Sequence, residues 1–333
     1  MNGKQKVLVL GATGGIGGEV ARQLRERGWT VRAMTRGQAG AADNRDGLEW
    51  IRGDALVAAD VLAAAEGCDV IVHAVNPPGY RRWAEWVLPM IDNTLAAARA
   101  RRATVVLPGT VYNYGPDSFP VVTEDAPQNP STRKGGIRVQ LEQRLQAAAA
   151  RGEIQAIILR AGDFFGPHAG NSWVNQAMVR PGRPVRTVQL PGRPGTGHQF
   201  AYLPDVARTM AALIERRREL PPFARFHMAG HWDADGTTMA RTIQRVAQRY
   251  GHPVPKLKAF PWWLVRLASP FVTTLRELLE MRYLWQQEVR MVNDKLVAFL
   301  GHEPHTPWDE AVEASLRGMA CLRSAPGARS AVV

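Results

Sequence analysis

The apolar run KVLVL at 6–10 stops at a glycine, after which Ile16, Val20 and Leu24 recur every four residues until Gly28. That pattern predicts strand, tight turn and amphipathic helix. WTVRAMT (29–35), LEWIRGD (48–54) and CDVIVHAV (68–75) predict three further strands, with an Ala/Leu helical pattern at 55–66 between the last two. A longer helix through Trp83, Trp86, Ile91 and Leu95 precedes the strand ATVVLPG (103–109), and a helix at 137–150 precedes IQAIILR (154–160). Strands alternating with helices through six crossovers predict an α/β fold with a doubly wound parallel sheet of the Rossmann type.

After Gly166 the character changes. PGRPVRTVQLPGRPGTG (181–197) reads as loop or short hairpin, LPDVARTMAALIER (203–216) as a helix with Val206, Met210 and Leu213 inward, and FARFHMAG (223–230) as a strand returning to the sheet. Residues 236–320 read as mostly helical, and the tail SAPGARSAVV as disordered. The expected organisation is a dinucleotide-binding core over 1–165 and a smaller, mostly helical substrate lobe over 166–333, with about 198–230 returning to the core.

Composition narrows the class. A chain of 333 residues that is 45% hydrophobic can bury a sizeable core. Its formal net charge is +12, but the arginines are dispersed; the run 215–219, ERRRE, reads as a solvated helix end, and no nucleic-acid motif accompanies the charge. An anionic small molecule is the expected partner, not nucleic acid. The best apolar run, FPWWLVRLASPFVTTL, is interrupted by Pro261, Arg266 and Pro270, and a membrane span needs roughly 18 apolar residues without charge. With glycine interrupting the first apolar run as well, the reading is a cytoplasmic protein with no membrane partner. Cys68 and Cys321 suggest neither a disulfide framework nor a zinc site, and His302 and His305 sit in a proline-rich turn with no third ligand nearby, so no metal is expected.

The turn after the first strand, GATGGIG, carries Gly11-x-x-Gly14-x-x-Gly17. Gly11 would permit the tight turn, Gly14 close approach of backbone to a pyrophosphate, and Gly17 close helix–sheet packing. The backbone of Gly11, Thr13, Gly14, Gly15, Ile16 and Gly17 is therefore the expected diphosphate cradle, at a helix N-terminus. The second strand ends in Met34-Thr35-Arg36, where an NAD site would place an acid for the ribose hydroxyls. Arg36 can instead meet a 2′-phosphate, which favours NADP with NAD as the alternative; the other reading is a solvated loop arginine. Asp54, with Ala55 beside it, is a candidate for the adenine amino group or a cap for the following helix.

GATGGIGG, GD at 53–54, HAV at 73–75, VYNYG at 111–115, LRAGDFFGP at 159–167 and AYLPDVART at 201–209 together resemble the extended and atypical branches of the short-chain dehydrogenase/reductase superfamily, the NAD(P)-dependent epimerase/dehydratase-like proteins. The resemblance spans about 220 residues. It implies that Ala74 and Val75 line the cofactor, and that a lysine four residues after a tyrosine binds the nicotinamide ribose and lowers the tyrosine pKa for proton exchange with substrate. Lys134, one of only six lysines, fits the lysine; Pro130 stands where the tyrosine belongs, and Pro108 where Ser or Thr belongs, four residues before Tyr112. Thr110, Tyr112 and Tyr114 lie where substrate meets nicotinamide in that family, so Lys134, Tyr112 and Thr110 are the catalytic candidates and Tyr114 a substrate contact. Other readings stay open: Tyr112 packs its ring on a buried turn, and Lys134 is a solvated helix-start lysine.

On the substrate side, the resemblance places Arg183, Arg186 and Arg193 on a loop lining substrate phosphates, and Asp163 at a substrate-facing position; the alternatives are a basic surface loop and a turn cap. His198 is a further substrate candidate. The aromatics of 260–285 form either a lid over the cleft or the core of the second lobe. The resemblance also implies a homodimer through helices at 81–100 and 137–150. Two functions follow: an NADP(H)-dependent oxidoreductase or epimerase acting on a carbonyl/alcohol group of a small, anionic or nucleotide-linked substrate, or an NADP-binding regulator without turnover, which loss of both proton-handling residues favours.

Overall fold

The computed structural model describes residues 5–37, 43–77, 82–170 and 172–322; the tail 324–333 and residue 81 of the first expected dimer helix lie outside the described residues. Eight strands form the main sheet: β1 (Lys6–Leu10), β2 (Thr30–Thr35), β3 (Asp43–Arg45), β4 (Leu48–Arg52), β5 (Val70–His73), β6 (Thr104–Gly109), β8 (Gln155–Arg160) and β12 (Phe223–His227). The order across the sheet is β12-β8-β6-β5-β1-β2-β4-β3. Every pairing is parallel except that of the short edge strand β3 with β4. The order reverses between β1 and β5, which opens a crevice at the carboxyl ends of those strands.

Both faces of the sheet are buried, which is why its strands read as continuous apolar runs rather than alternating ones. Val7 and Val9 point into one core with Val20, Leu24, Met210 and Leu213, so α1 (Gly15–Glu26) and α5 (Leu203–Glu215) cover that face. Leu8 and Leu10 point the other way, with Ile91, Leu95, Leu141 and Leu145, beneath α2 (Ala58–Ala64), α3 (Trp83–Arg101) and α4 (Arg133–Ala150). Helix α1 stops where expected: Gly28 takes φ +86° and its N–H bonds to Arg25 O, a left-handed termination that glycine adopts without penalty.

The remaining strands are smaller. β7 (Val121–Val122) pairs with β15 (Arg290–Met291), β10 (Thr187–Leu190) with β14 (Lys256–Ala259), and β9 (Asp163–Phe165) and β13 (His231–Asp233) flank β11 (His198–Tyr202). Thus β12 joins the main sheet, whereas β11 sits in a sheet of its own. Helices α6 (Thr238–Arg249), α7 (Trp262–Ala268), α8 (Thr273–Glu280), α9 (Asp294–Leu300) and α10 (Trp308–Gly318) complete the chain. Phe165, Phe200, Trp285, Val246 and Leu316 form the core of this second region. No helix among the described residues is long and apolar enough to cross a membrane.

The arginine run at 216–218 departs from the solvated reading. Arg216 pairs with Glu219, but Arg217 is buried, donates to Gln5 Oε1 and Ile214 O, and lies over the Trp29 ring. Its long stem packs on apolar surface while the head finds neutral oxygens.

Candidate active site

The glycine turn is built as its spacing requires. Gly11 has φ +87°, and a Cβ there would lie 2.5 Å from Ala74 O, so side-chain-free backbone links β1 to the end of β5. A Cβ on Gly17 would come within 2.3 Å of Gly11 O, which fixes how closely α1 abuts the turn. Gly14 is the N-cap of α1 and its N–H closes the turn on Gly11 O at 2.9 Å; no side chain caps the helix. Thr13 and Gly14 are exposed at the crevice, with Gly15 and Ile16 half-buried behind them. Gly15 also abuts the 168–169 backbone: a Cβ would lie 2.9 Å from His168 O. These features fit a diphosphate against helix-terminal amides.

Around this turn lie the other expected cofactor residues. Arg36 is exposed one residue past β2, while Ala74 and Val75 follow β5 and are half-buried. Asp54 spends Oδ1 on the Leu56 N–H at 3.0 Å, and its own N–H is held by Asp60 Oδ2 at 2.9 Å, so it stiffens the turn before α2. Ala55 is buried, and its carbonyl accepts from Asn93. His73, at the end of β5, is buried against Thr94. The Thr94 hydroxyl donates to Met90 O and accepts from His73 Nδ1 at 2.8 Å. Burial, with Arg138 nearby, holds His73 neutral, its pKa down to about 3.

Lys134 is the second residue of α4, whose first turn is capped by Thr132 Oγ1 accepting from the Gly135 N–H at 3.0 Å. Its side chain is buried, not solvated, and Nζ lies 4.0 Å from Glu280 Oε2 on α8. Gly135 places the helix start directly against the 110–112 segment, since a Cβ there would meet Tyr112 O at 2.2 Å. Tyr112 is half-buried beside Trp83, their rings 6.5 Å apart. Thr110 Oγ1 donates to Asn113 Oδ1 at 2.7 Å.

Tyr114 requires a correction. It has no exposed surface, its hydroxyl shares a 2.8 Å hydrogen bond with His227 Nε2, and Arg160 lies over its ring. A 3-10 turn at Val111–Asn113 rotates it into the core, so it cannot reach a substrate. Beneath it runs a polar network that the sequence did not disclose. Arg160 is fully buried and pairs with Glu142 Oε2 at 2.8 Å and with Thr110 O, while Asn113 and Gln128 donate to Glu142 at 2.9 and 3.1 Å. Glu142 follows Lys134 by two helical turns on the face carrying Leu141 and Leu145, and a carboxylate in that apolar register was the available signal.

A second unforeseen residue is Tyr283. Its hydroxyl is buried without a hydrogen-bond partner among the described residues, although Ser131 lies near enough to favour its ionised form. Burial raises its pKa, and Tyr112, Glu280 and Asp163 push the same way, which puts this phenol among the groups around Lys134. The lid reading of the 260–285 aromatics included its segment, but nothing singled out Tyr283, which lies about 150 residues from Lys134.

On the substrate side, Asp163 and His198 come together at 2.8 Å, and the imidazole stacks on Trp285 with centroids 3.6 Å apart. The cavity beside them is only about 10 Å³, room for one water, so this is a packed wall of the cleft. Arg183, Arg186 and Arg193 are exposed. His305, rather than His302, meets Asp205 and His231, with potential ligand atoms within 4.8 Å of one another. Asp205 is committed to Thr306 and Arg208, and the two imidazoles stack face to face at 4.3 Å, so the cluster clasps the 305–306 loop to α5.

The chain is 30% identical over 179 residues to 3-diazoavenalumate denitrifying reductase from Streptomyces sp., an alignment covering 50% of this chain and 58% of that relative. The match thus spans little more than half of the relative's length. Among solved structures, a putative epimerase from Burkholderia cenocepacia J2315 superimposes with a TM-score of 0.72 at 20% identity, covering 95% of this chain and 98% of that one. UDP-glucose 4-epimerase from Bifidobacterium longum, solved in complex with NAD+ and UDP, gives 0.70 at 17% identity, covering 94% and 98%. The sequence profile of the NAD dependent epimerase/dehydratase family matches residues 7–229, the main sheet from the second residue of β1 to the end of β12, and the chain belongs to that family.

Proposed function

We propose that the chain catalyses nicotinamide-dependent oxidation or reduction of a carbonyl/alcohol pair on a small anionic or nucleotide-linked substrate, as a net oxidoreductase or as an epimerase through transient oxidation, with NADP(H) preferred to NAD(H). The observation that carries this reading is the buried Lys134, 4% exposed, at the start of α4 and beside the 110–112 turn. A buried ammonium is costly unless compensated, here by Glu280 at 4.0 Å, and a fixed cation is what a ribose- and proton-handling site requires. Related proteins are described as a reductase and as an epimerase holding NAD+ and UDP, which supports the reaction and substrate classes.

A bound nicotinamide cofactor would supply or accept the hydride. The amides at the start of α1 would hold its diphosphate, Arg36 would meet a 2′-phosphate, and Lys134 the ribose hydroxyls. Because Pro130 and Pro108 cannot exchange protons, that task falls to the phenol of Tyr112, assisted by Thr110, with Tyr283 as the alternative donor on the opposite wall. The same two prolines favour a second reading, cofactor binding without turnover.

One experiment separates them. Calorimetric titration establishes NADPH and NADH binding, and cofactor absorbance is then followed against a panel of carbonyl compounds and sugar nucleotides. Turnover that falls at least about a hundredfold in Tyr112→Phe, with cofactor affinity unchanged, supports the assignment; the same loss confined to Tyr283→Phe moves the role across the cleft. Spectral silence together with no epimerised sugar nucleotide by NMR, with cofactor bound, establishes the non-catalytic reading. Absence of binding removes both.

A further inference from the structure

Ten large apolar side chains are prominently exposed among the described residues, and six of them lie between 254 and 272: Val254, Trp263, Leu264, Leu267, Phe271 and Val272. Trp263 and Leu267 are each 69% exposed and Phe271 88%, whereas none outside this segment exceeds 55%. A helix merely packed on the lobe would turn such residues inward. Here α7 is anchored instead by its opposite face. Val265 is buried, and Trp262 sits in an aromatic cluster with Trp173 and Phe260, donating to Pro191 O at 2.8 Å. The outer face is therefore held out rigidly. Contiguous exposed apolar surface of this kind marks an interaction site.

Charge decides the partner. Residues 236–276 contain no Asp or Glu but seven Lys and Arg. Arg241, Arg245 and Arg249 pair with carboxylates elsewhere in the chain. The other four, Lys256, Lys258, Arg266 and Arg276, are exposed around the apolar residues. A Trp/Leu/Phe face bordered by four exposed cations, with the first acids after it at Glu277 and Glu280 in the second half of α8, matches the interface of an anionic bilayer, where the apolar groups enter the headgroup boundary and the cations meet lipid phosphates. A second copy of this chain would bring a like-charged rim to the same contact.

We propose that the α7–α8 hairpin docks peripherally on an anionic membrane surface through Trp263, Leu264, Leu267 and Phe271, with Lys256, Lys258, Arg266 and Arg276 on the lipid headgroups. This differs from the sequence expectation of no membrane partner, and it requires no spanning helix. Because α8 ends in Glu280 beside Lys134, docking would place the mouth of the candidate site at the membrane surface. The inference stands on the exposed face alone and does not depend on the proposed reaction.

The test is co-sedimentation of the full chain with vesicles of phosphatidylglycerol and phosphatidylcholine, against vesicles of phosphatidylcholine alone. Binding is expected to the anionic vesicles and to weaken as salt rises. Replacing Trp263, Leu267 and Phe271 together by Ser, or both Lys256 and Lys258 by Glu, should weaken it on the order of tenfold or more, with melting temperature and cofactor binding retained. Phe271→Ser alone, at the most exposed position, gives a smaller loss without touching the core. Failure to bind anionic vesicles, equal binding to neutral ones, or unimpaired binding by these variants overturns the proposal. So does a dimer that the triple Ser variant converts to monomer in light scattering while vesicle binding is absent, which would assign the face to a second copy.

Discussion

Removing Glu142 probes the buried network under the site. Arg160 has no exposed surface, its Nε has no partner among the described residues, and Glu142 supplies the nearest opposite charge at 2.8 Å. Burial works against the charged guanidinium, and Glu142 overcomes it, leaving the arginine pKa raised. In Glu142→Ala the cation stays buried, because its stem is fixed between β8 and the Tyr114 ring, with Thr110 O and the Tyr114 hydroxyl as neutral hydrogen-bond acceptors and no carboxylate. Breaking such a pair from one side costs about 3–5 kcal/mol. The amide donors of Asn113 and Gln128 lose their acceptor too, so the upper part of that range is expected. Urea unfolding at neutral pH would measure it as a shift in midpoint at constant slope. The decisive comparison is a double-mutant cycle with Arg160→Met: removing both charges should recover at least about 2 kcal/mol relative to the sum of the single variants, since the fully buried cation is gone and the ion left without Glu142 is the partly exposed Arg225, 3.9 Å away. Additive losses, or a single-variant loss below about 1 kcal/mol, would show that the pair does not carry the structure under the 110–114 turn.

Three further outcomes follow. Gly17→Ala sets a methyl 2.3 Å from Gly11 O, backbone that cannot swing aside, so α1 must retreat; about 1–3 kcal/mol of stability and at least tenfold in cofactor affinity should be lost by denaturation and calorimetry, and a wild-type affinity would place the diphosphate elsewhere. Arg36→Ala should weaken NADPH about tenfold and leave NADH unchanged, and equal effects on both would remove Arg36 from the 2′-phosphate. His73 has a folded pKa of about 3 against roughly 6.5 unfolded, so the unfolded chain takes up the proton first; its contribution is complete above about pH 6.5 and is lost as pH falls toward 3. Burial depresses His231 to about 4 and holds His227 well below the usual imidazole range, with the same sign. Stability measured from pH 6 to 4 should fall less steeply in His73→Gln by about 1.4 kcal/mol per pH unit, and an unaltered slope would mean the imidazole is not held neutral.

What the chain disclosed in advance and what it concealed divide along one physical line. Signals that repeat within a single element were legible: KVLVL followed by Ile16, Val20 and Leu24 specifies β1, the turn and α1, because local backbone and one buried stripe determine them. The glycines of that turn were legible for the same reason, since two act against backbone only a few residues away or at the next strand. Lys134 could be located by its place at the start of α4, but its ionic partner Glu280 stands far along the chain. Neighbouring residues of one type could not be told apart. Tyr112 and Tyr114 differ by two positions, and a single 3-10 turn leaves one half-buried near Lys134 and commits the other to His227. Trp262 and Trp263 differ by one, and the rotation of one helical residue sends the first into the aromatic cluster and the second into solvent. Neither alternative drawn for the 260–285 aromatics, lid or core, therefore describes the whole segment: its inner half is core, and its outer half is a surface whose cost in water calls for a partner.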